Sequence, residues 1–101
     1  MAPTILLVED DLICRRLINR ILLGMGYNVV CIDNAADALE ELSVSKVDFL
    51  VTDYNLSGKE TGRWLIDKII EDLTLLDLPI ILYSSSEVLD VQSLRNIRFF
   101  S

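Results

Sequence analysis

TILLVEDD, residues 4–11, and VDFLVTD, residues 47–53, decide the fold. Each is a short apolar run that ends on acid. Neither alternates between apolar and polar residues, so each reads as a strand buried on both faces, over 4–8 and 49–52, the pattern of a parallel sheet. If the two strands are neighbours, Glu9, Asp10 and Asp53 meet at one edge of that sheet. Carboxylates brought this close repel, so such a cluster implies a divalent cation, a shared proton, or both.

Working outward, the chain alternates strands with amphipathic stretches. Asp11 caps a predicted helix over 12–23, with Ile13, Leu17, Ile18, Ile21 and Leu22 on one face and Arg15, Arg16, Asn19 and Arg20 on the other. Gly24 and Gly26 end it. Residues 28–32 read as a second strand. Asn34 caps a helix to about Leu42, with Asp37 near its positive N-terminus. Residues 54–60 form a loop, and Thr61 opens a helix to about Leu73 with Leu65, Ile66, Ile69 and Ile70 facing inward. Pro79 precedes a fourth strand over 80–83. Ser84–Ser86 form a turn and cap, residues 88–94 a short helix, and 96–100 a fifth strand. This order predicts an α/β fold: a three-layer, doubly wound parallel sheet with right-handed crossovers and helices on both faces. Ligands of such sheets bind at the carboxyl ends of the strands, where Glu9, Asp10, Asp53 and Ser84 all fall.

The 101 residues, 51% hydrophobic, suit one domain with a modest core, and the net charge of −7 argues against a nucleic-acid surface in this segment. No apolar run reaches the roughly 20 residues of a membrane helix, and acids arrive before any leader-like stretch. Cys14 and Cys31 lack metal-ligand spacing and read as small buried hydrophobes of a reducing, cytoplasmic setting. With no histidine in the sequence, any imidazole chemistry must come from another protein.

Three segments, ILLVEDD (5–11), VTDYNL (51–56) and PIILYS (79–84), in this order and spacing, resemble the response-regulator receiver domain of two-component signalling. The resemblance spans nearly the whole chain. It implies the flavodoxin-like strand order 2-1-3-4-5 and a single receiver domain over 1–101. Asp53 would be the phosphoacceptor, attacking a phosphohistidine on a histidine kinase or histidine phosphotransfer protein. Mg2+ would be held by Asp10, by Asp53, by the backbone carbonyl of Asn55, and by Glu9 directly or through water. Ser84 would be the switch hydroxyl. Such a domain catalyses its own phosphorylation and hydrolysis but turns over no free metabolite, so it is not counted as an enzyme.

The sequence departs from the family pattern at several points. Glu9 stands where Asp is also frequent, Ser57 stands where proline is common, and the loop over 57–62 is one residue longer than the commonest form. The family also carries a lysine at the end of the fifth strand, and none follows Lys68. IRFFS, residues 97–101, reads as that strand cut just before the lysine, so the expected domain is C-terminally truncated, lacking its last helix. An output domain or a homodimer is then a further expectation. The alternative is a pseudo-receiver, a protein-interaction module that is not phosphorylated, which the missing lysine supports. A Mg2+-dependent phosphohydrolase with an aspartyl nucleophile generally carries a second acid two residues on, where this chain has Asn55.

Overall fold

The computed structural model describes residues 2–75, 77–83 and 97–100. Its sheet has five parallel strands: β1 (Thr4–Val8), β2 (Asn28–Ile32), β3 (Phe49–Asp53), β4 (Ile80–Tyr83) and β5 (Ile97–Phe100). Their spatial order is β2-β1-β3-β4-β5, the expected doubly wound arrangement with β1 and β3 side by side. The helices are α1 (Leu12–Gly24), α2 (Ala35–Val44) and α3 (Gly62–Glu71), followed by a 3-10 turn at Leu73–Leu75. Ser84 and the helix expected over 88–94 lie outside the described residues.

The apolar runs form central strands because both of their faces are covered. Side chains alternate along a strand. Leu6 and Val8 therefore enter the layer under α2 and α3, with Leu50, Leu82, Leu65 and Ile66. Ile5 and Leu7 enter the opposite layer with Val51, against Ile18 and Leu22 of α1. Leu6, Leu7 and Val8 are fully buried, which stabilises the fold by roughly 1.5–3 kcal/mol for each side chain. The register sets Leu7 beside Val51 and Val8 beside Thr52. Glu9 therefore leaves its strand level with Asp53.

The helix starts are as the sequence implies. The side chains of Asp11, Asn34 and Thr61 accept hydrogen bonds from the backbone N–H groups of Ile13, Asp37 and Trp64. After α1, Gly26 takes φ +94° and its N–H reaches the Leu23 carbonyl. That left-handed turn is open to glycine at little cost.

Three expectations are corrected. Of the five apolar residues that share one face of α1, only Ile18 and Leu22 pack against the sheet among the described residues. Ile13 is 78% and Leu17 58% exposed, and Ile21 is exposed as well. Hydrophobic periodicity identifies an apolar stripe but not the width of the surface that covers it. Ile70 is likewise exposed at the rim of α3. Cys14 and Cys31 are both exposed, one in the first turn of α1 and the other on the edge strand β2.

Candidate functional site

The ends of β1 and β3 place the acids. Glu9 extends β1 by one residue, its N–H donating to the Ile32 carbonyl at 3.1 Å. Asp53 is the last residue of β3 and pairs in register with Tyr83 of β4. Glu9, Asp10 and Asp53 each bring a carboxylate oxygen to within 4.8 Å of the other two. The sequence placed these three acids together, and the structure brings them together.

Each acid is held by hydrogen bonds. Glu9 is 2% exposed. One of its oxygens accepts the Tyr83 hydroxyl and the other accepts the Asp11 N–H at 3.0 Å. Asp10 accepts the Ser57 N–H at 2.9 Å, which ties the loop after β3 to the end of β1. Asp53 Oδ1 accepts the Asn55 N–H at 2.9 Å. Arg15 reaches back from α1 to the Glu9 carbonyl at 2.9 Å. No ion pair joins a base to these three acids among the described residues.

The electrostatics follow from burial and from these donors. Burial lifts the Glu9 carboxyl above the ordinary carboxylate range, and the Asp53 charge adds to the rise; the bonds from Tyr83 and Asp11 offset part of it. Burial also raises Asp53, helped by the Asp10 charge and opposed by the Asn55 N–H. Hydrogen bonding from Ser57 holds Asp10 below the ordinary range. Two acids that resist ionisation beside one that favours it make a site short of positive charge. The donor set is all oxygen, the chemistry of a hard divalent cation.

The comparisons with known proteins agree with this geometry. The family model described as the response regulator receiver domain matches residues 5–96. The chain belongs to the response-regulator receiver family. Among curated relatives, the receiver is 34% identical over 84 residues to the rice (Oryza sativa subsp. indica) two-component response regulator ORR3, covering 82% of this chain and 63% of that protein. It is 33% identical over 96 residues to ARR17 of Arabidopsis thaliana, covering 83% of this chain and 62% of that protein. The receiver thus spans less than two thirds of the length of these relatives.

Among solved structures, a sensor protein from Polaromonas sp. JS666 superposes with a TM-score of 0.78 at 32% identity, covering 83% of this chain and 66% of that one. The chemotaxis protein CheY4 of Vibrio cholerae reaches 0.87 at 16% identity, covering 99% and 86%, a likeness of fold alone.

Three further residues shape the receiver's site without having been singled out for it in the sequence. Gly62, the first residue of α3, packs so tightly under the end of β3 that a Cβ there would collide with the Asp53 carbonyl and lie 2.6 Å from the Tyr54 Cα. Its N–H donates to the Tyr54 carbonyl at 3.1 Å. Arg15 and Tyr83 are the others. The pairing of a glycine with the preceding cap, Thr61-Gly62, hints at a close helix start. Nothing local marks Arg15 or Tyr83, whose partners lie on other elements.

Proposed function

We propose that this receiver accepts a phosphoryl group on Asp53 from the phosphohistidine of a histidine kinase or histidine phosphotransfer protein, with Mg2+ as cofactor. The observation that carries this reading is the convergence of Glu9, Asp10 and Asp53 within 4.8 Å at the carboxyl edge of the sheet. An Asp53 carboxylate oxygen attacks phosphorus, the P–O bond forms as the P–N bond breaks, and the departing imidazole keeps the electron pair and takes up a proton from water. The chain supplies no histidine of its own, so the donor imidazole belongs to the partner.

Asp10 and Asp53 would hold the cation, with the Asn55 backbone carbonyl, and Glu9 directly or through water. When bound, Mg2+ supplies charge neutralisation for the acids and the incoming phosphoryl oxygens. The chain's own part is orientation. The Asn55 N–H fixes one oxygen of Asp53, and the Ser57 N–H fixes Asp10 and draws the loop over 54–60 toward the site. Ser84, which follows β4 directly, is the switch hydroxyl that bonds a phosphoryl oxygen and shifts the balance between two existing conformations.

The test is intact-protein mass after incubation with Mg2+ and acetyl phosphate. One phosphoryl adduct is expected on the wild type and none on Asp53→Asn. An adduct retained in that variant refutes the acceptor assignment. The contrasting reading is an interaction module of the same fold that is not phosphorylated. No adduct on the wild type would favour that module.

A further inference from the structure

Tyr83 stands on β4 directly opposite Asp53 on β3. It is half-buried in the layer beneath α1, packed with Ile5, Leu7 and Val51. Its hydroxyl does not stop at Asp53. It reaches past the acceptor strand to Glu9 at the end of β1 and donates to Oε1, a contact between residues 74 apart in sequence. Since β3 lies between β1 and β4, this bond bridges two strands across the one that carries the acceptor. The other Glu9 oxygen is already fixed by the Asp11 N–H at 3.0 Å. Glu9 is thus held at both oxygens, from two elements, in a buried position.

A hydroxyl suits this place for a physical reason. A cationic donor there would compensate the acids with its own charge and compete with a bound metal ion. A backbone N–H cannot reach across a neighbouring strand. A neutral O–H on a rigid ring orients the carboxylate and leaves its charge for the cation. Donors behind metal-ligating carboxylates raise affinity by fixing the ligand before the ion arrives, and losing one typically costs about 10–100-fold.

We propose that Tyr83 is a positioning residue of the cation site, acting through Glu9: its hydroxyl holds that carboxylate in the orientation that receives Mg2+. The inference rests on the cation site proposed above. Tyr83 itself touches neither the cation nor the phosphoryl group in this scheme, and its ring serves as packing in any case. Tyr83→Phe keeps that packing and removes only the hydroxyl.

The experiment is isothermal titration calorimetry with Mg2+, with no phosphodonor present, on the wild type, Tyr83→Phe, Glu9→Ala and the double variant, each checked for cooperative unfolding. Tyr27→Phe, a tyrosine of the same apolar layer set edge-on to Phe49, serves as control. The expected result is affinity weakened about tenfold in Tyr83→Phe, unchanged in Tyr27→Phe, and no further loss when Tyr83→Phe is added to Glu9→Ala. A lower unfolding midpoint with unchanged Mg2+ affinity overturns the inference and leaves the tyrosine a purely structural tie. Tighter binding in Tyr83→Phe overturns it too, since the hydroxyl would then be competing with the cation. A loss of equal size in the Glu9→Ala background shows that the effect does not pass through Glu9. Absence of Mg2+ binding by the wild type overturns the cation site itself, and the tyrosine's role with it.

Discussion

Asp53 and Glu9 are each costly to ionise, and that cost gives the apo protein a definite pH signature. Both carboxyls sit above their ordinary values because burial penalises the charged form. The folded state therefore binds their protons more tightly than the unfolded chain, and stability falls as pH rises from the ordinary carboxylate value of about 4 through the raised ones. Asp10 has the opposite sign. Held down by Ser57, it contributes stability above the ordinary value and loses it as pH falls through its lowered one. The expected profile of urea midpoint against pH, without divalent ions, has its maximum near the ordinary carboxylate value of about 4 and declines on both sides. In Asp53→Asn the neutral-pH arm should flatten, and the thermal midpoint at pH 7 should rise by about 2–5 °C through relief of like-charge repulsion. A midpoint lowered by the substitution would mean that Asp53 is held by favourable contacts that outweigh its desolvation.

The elements show what hydrophobic pattern conveys and what it omits. Strands β1, β3 and β4 were legible because a continuous apolar run bounded by Glu9, Asp53 or Pro79 has few other ways to be buried. The helix starts were legible because Asp11, Asn34 and Thr61 each carry an oxygen that meets an N–H two or three residues on. The depth of α1 was not legible, since the exposure of Ile13, Leu17 and Ile21 depends on how far the neighbouring layer extends. Gly62 was passed over for the same reason: its need is set by the backbone of Asp53 and Tyr54, nine and eight residues away in sequence, across a close helix-to-strand approach. Gly62→Ala should therefore cost about 1–3 kcal/mol by displacing α3 or the segment after Asp53. It should also slow phosphorylation more than Thr61→Ala, whose cost is that of a lost cap, about 1 kcal/mol. Equal effects of the two on urea midpoint and on the rate of adduct formation would show that the backbone yields at this contact without strain.

For the whole molecule, the charge balance and the sheet order bear on the same point. A chain of net charge −7 gathers three acids at the seam of β1 and β3, which are neighbours in the sheet. The fold therefore stores repulsion at its functional edge, offset by the cores on both faces. A cation that binds the folded state alone removes that repulsion and stabilises the molecule by mass action, by about 2.7 kcal/mol at a concentration 100 times its dissociation constant. Saturating Mg2+ should then raise the thermal midpoint by roughly 10 °C or more at pH 7. The rise should shrink on acidification, as protons compete for Glu9 and Asp53, whose raised values bring that competition to a higher pH than isolated carboxylates would show. Asp10→Asn should abolish most of it, because Asp10 is the one of the three acids whose carboxyl is held below the ordinary range and so stays ionised for the cation. Differential scanning calorimetry with Mg2+ and with a chelator measures this directly. A midpoint indifferent to Mg2+ in the wild type, with the pH profile of the apo protein intact, would mean that the acids share a proton and hold no cation.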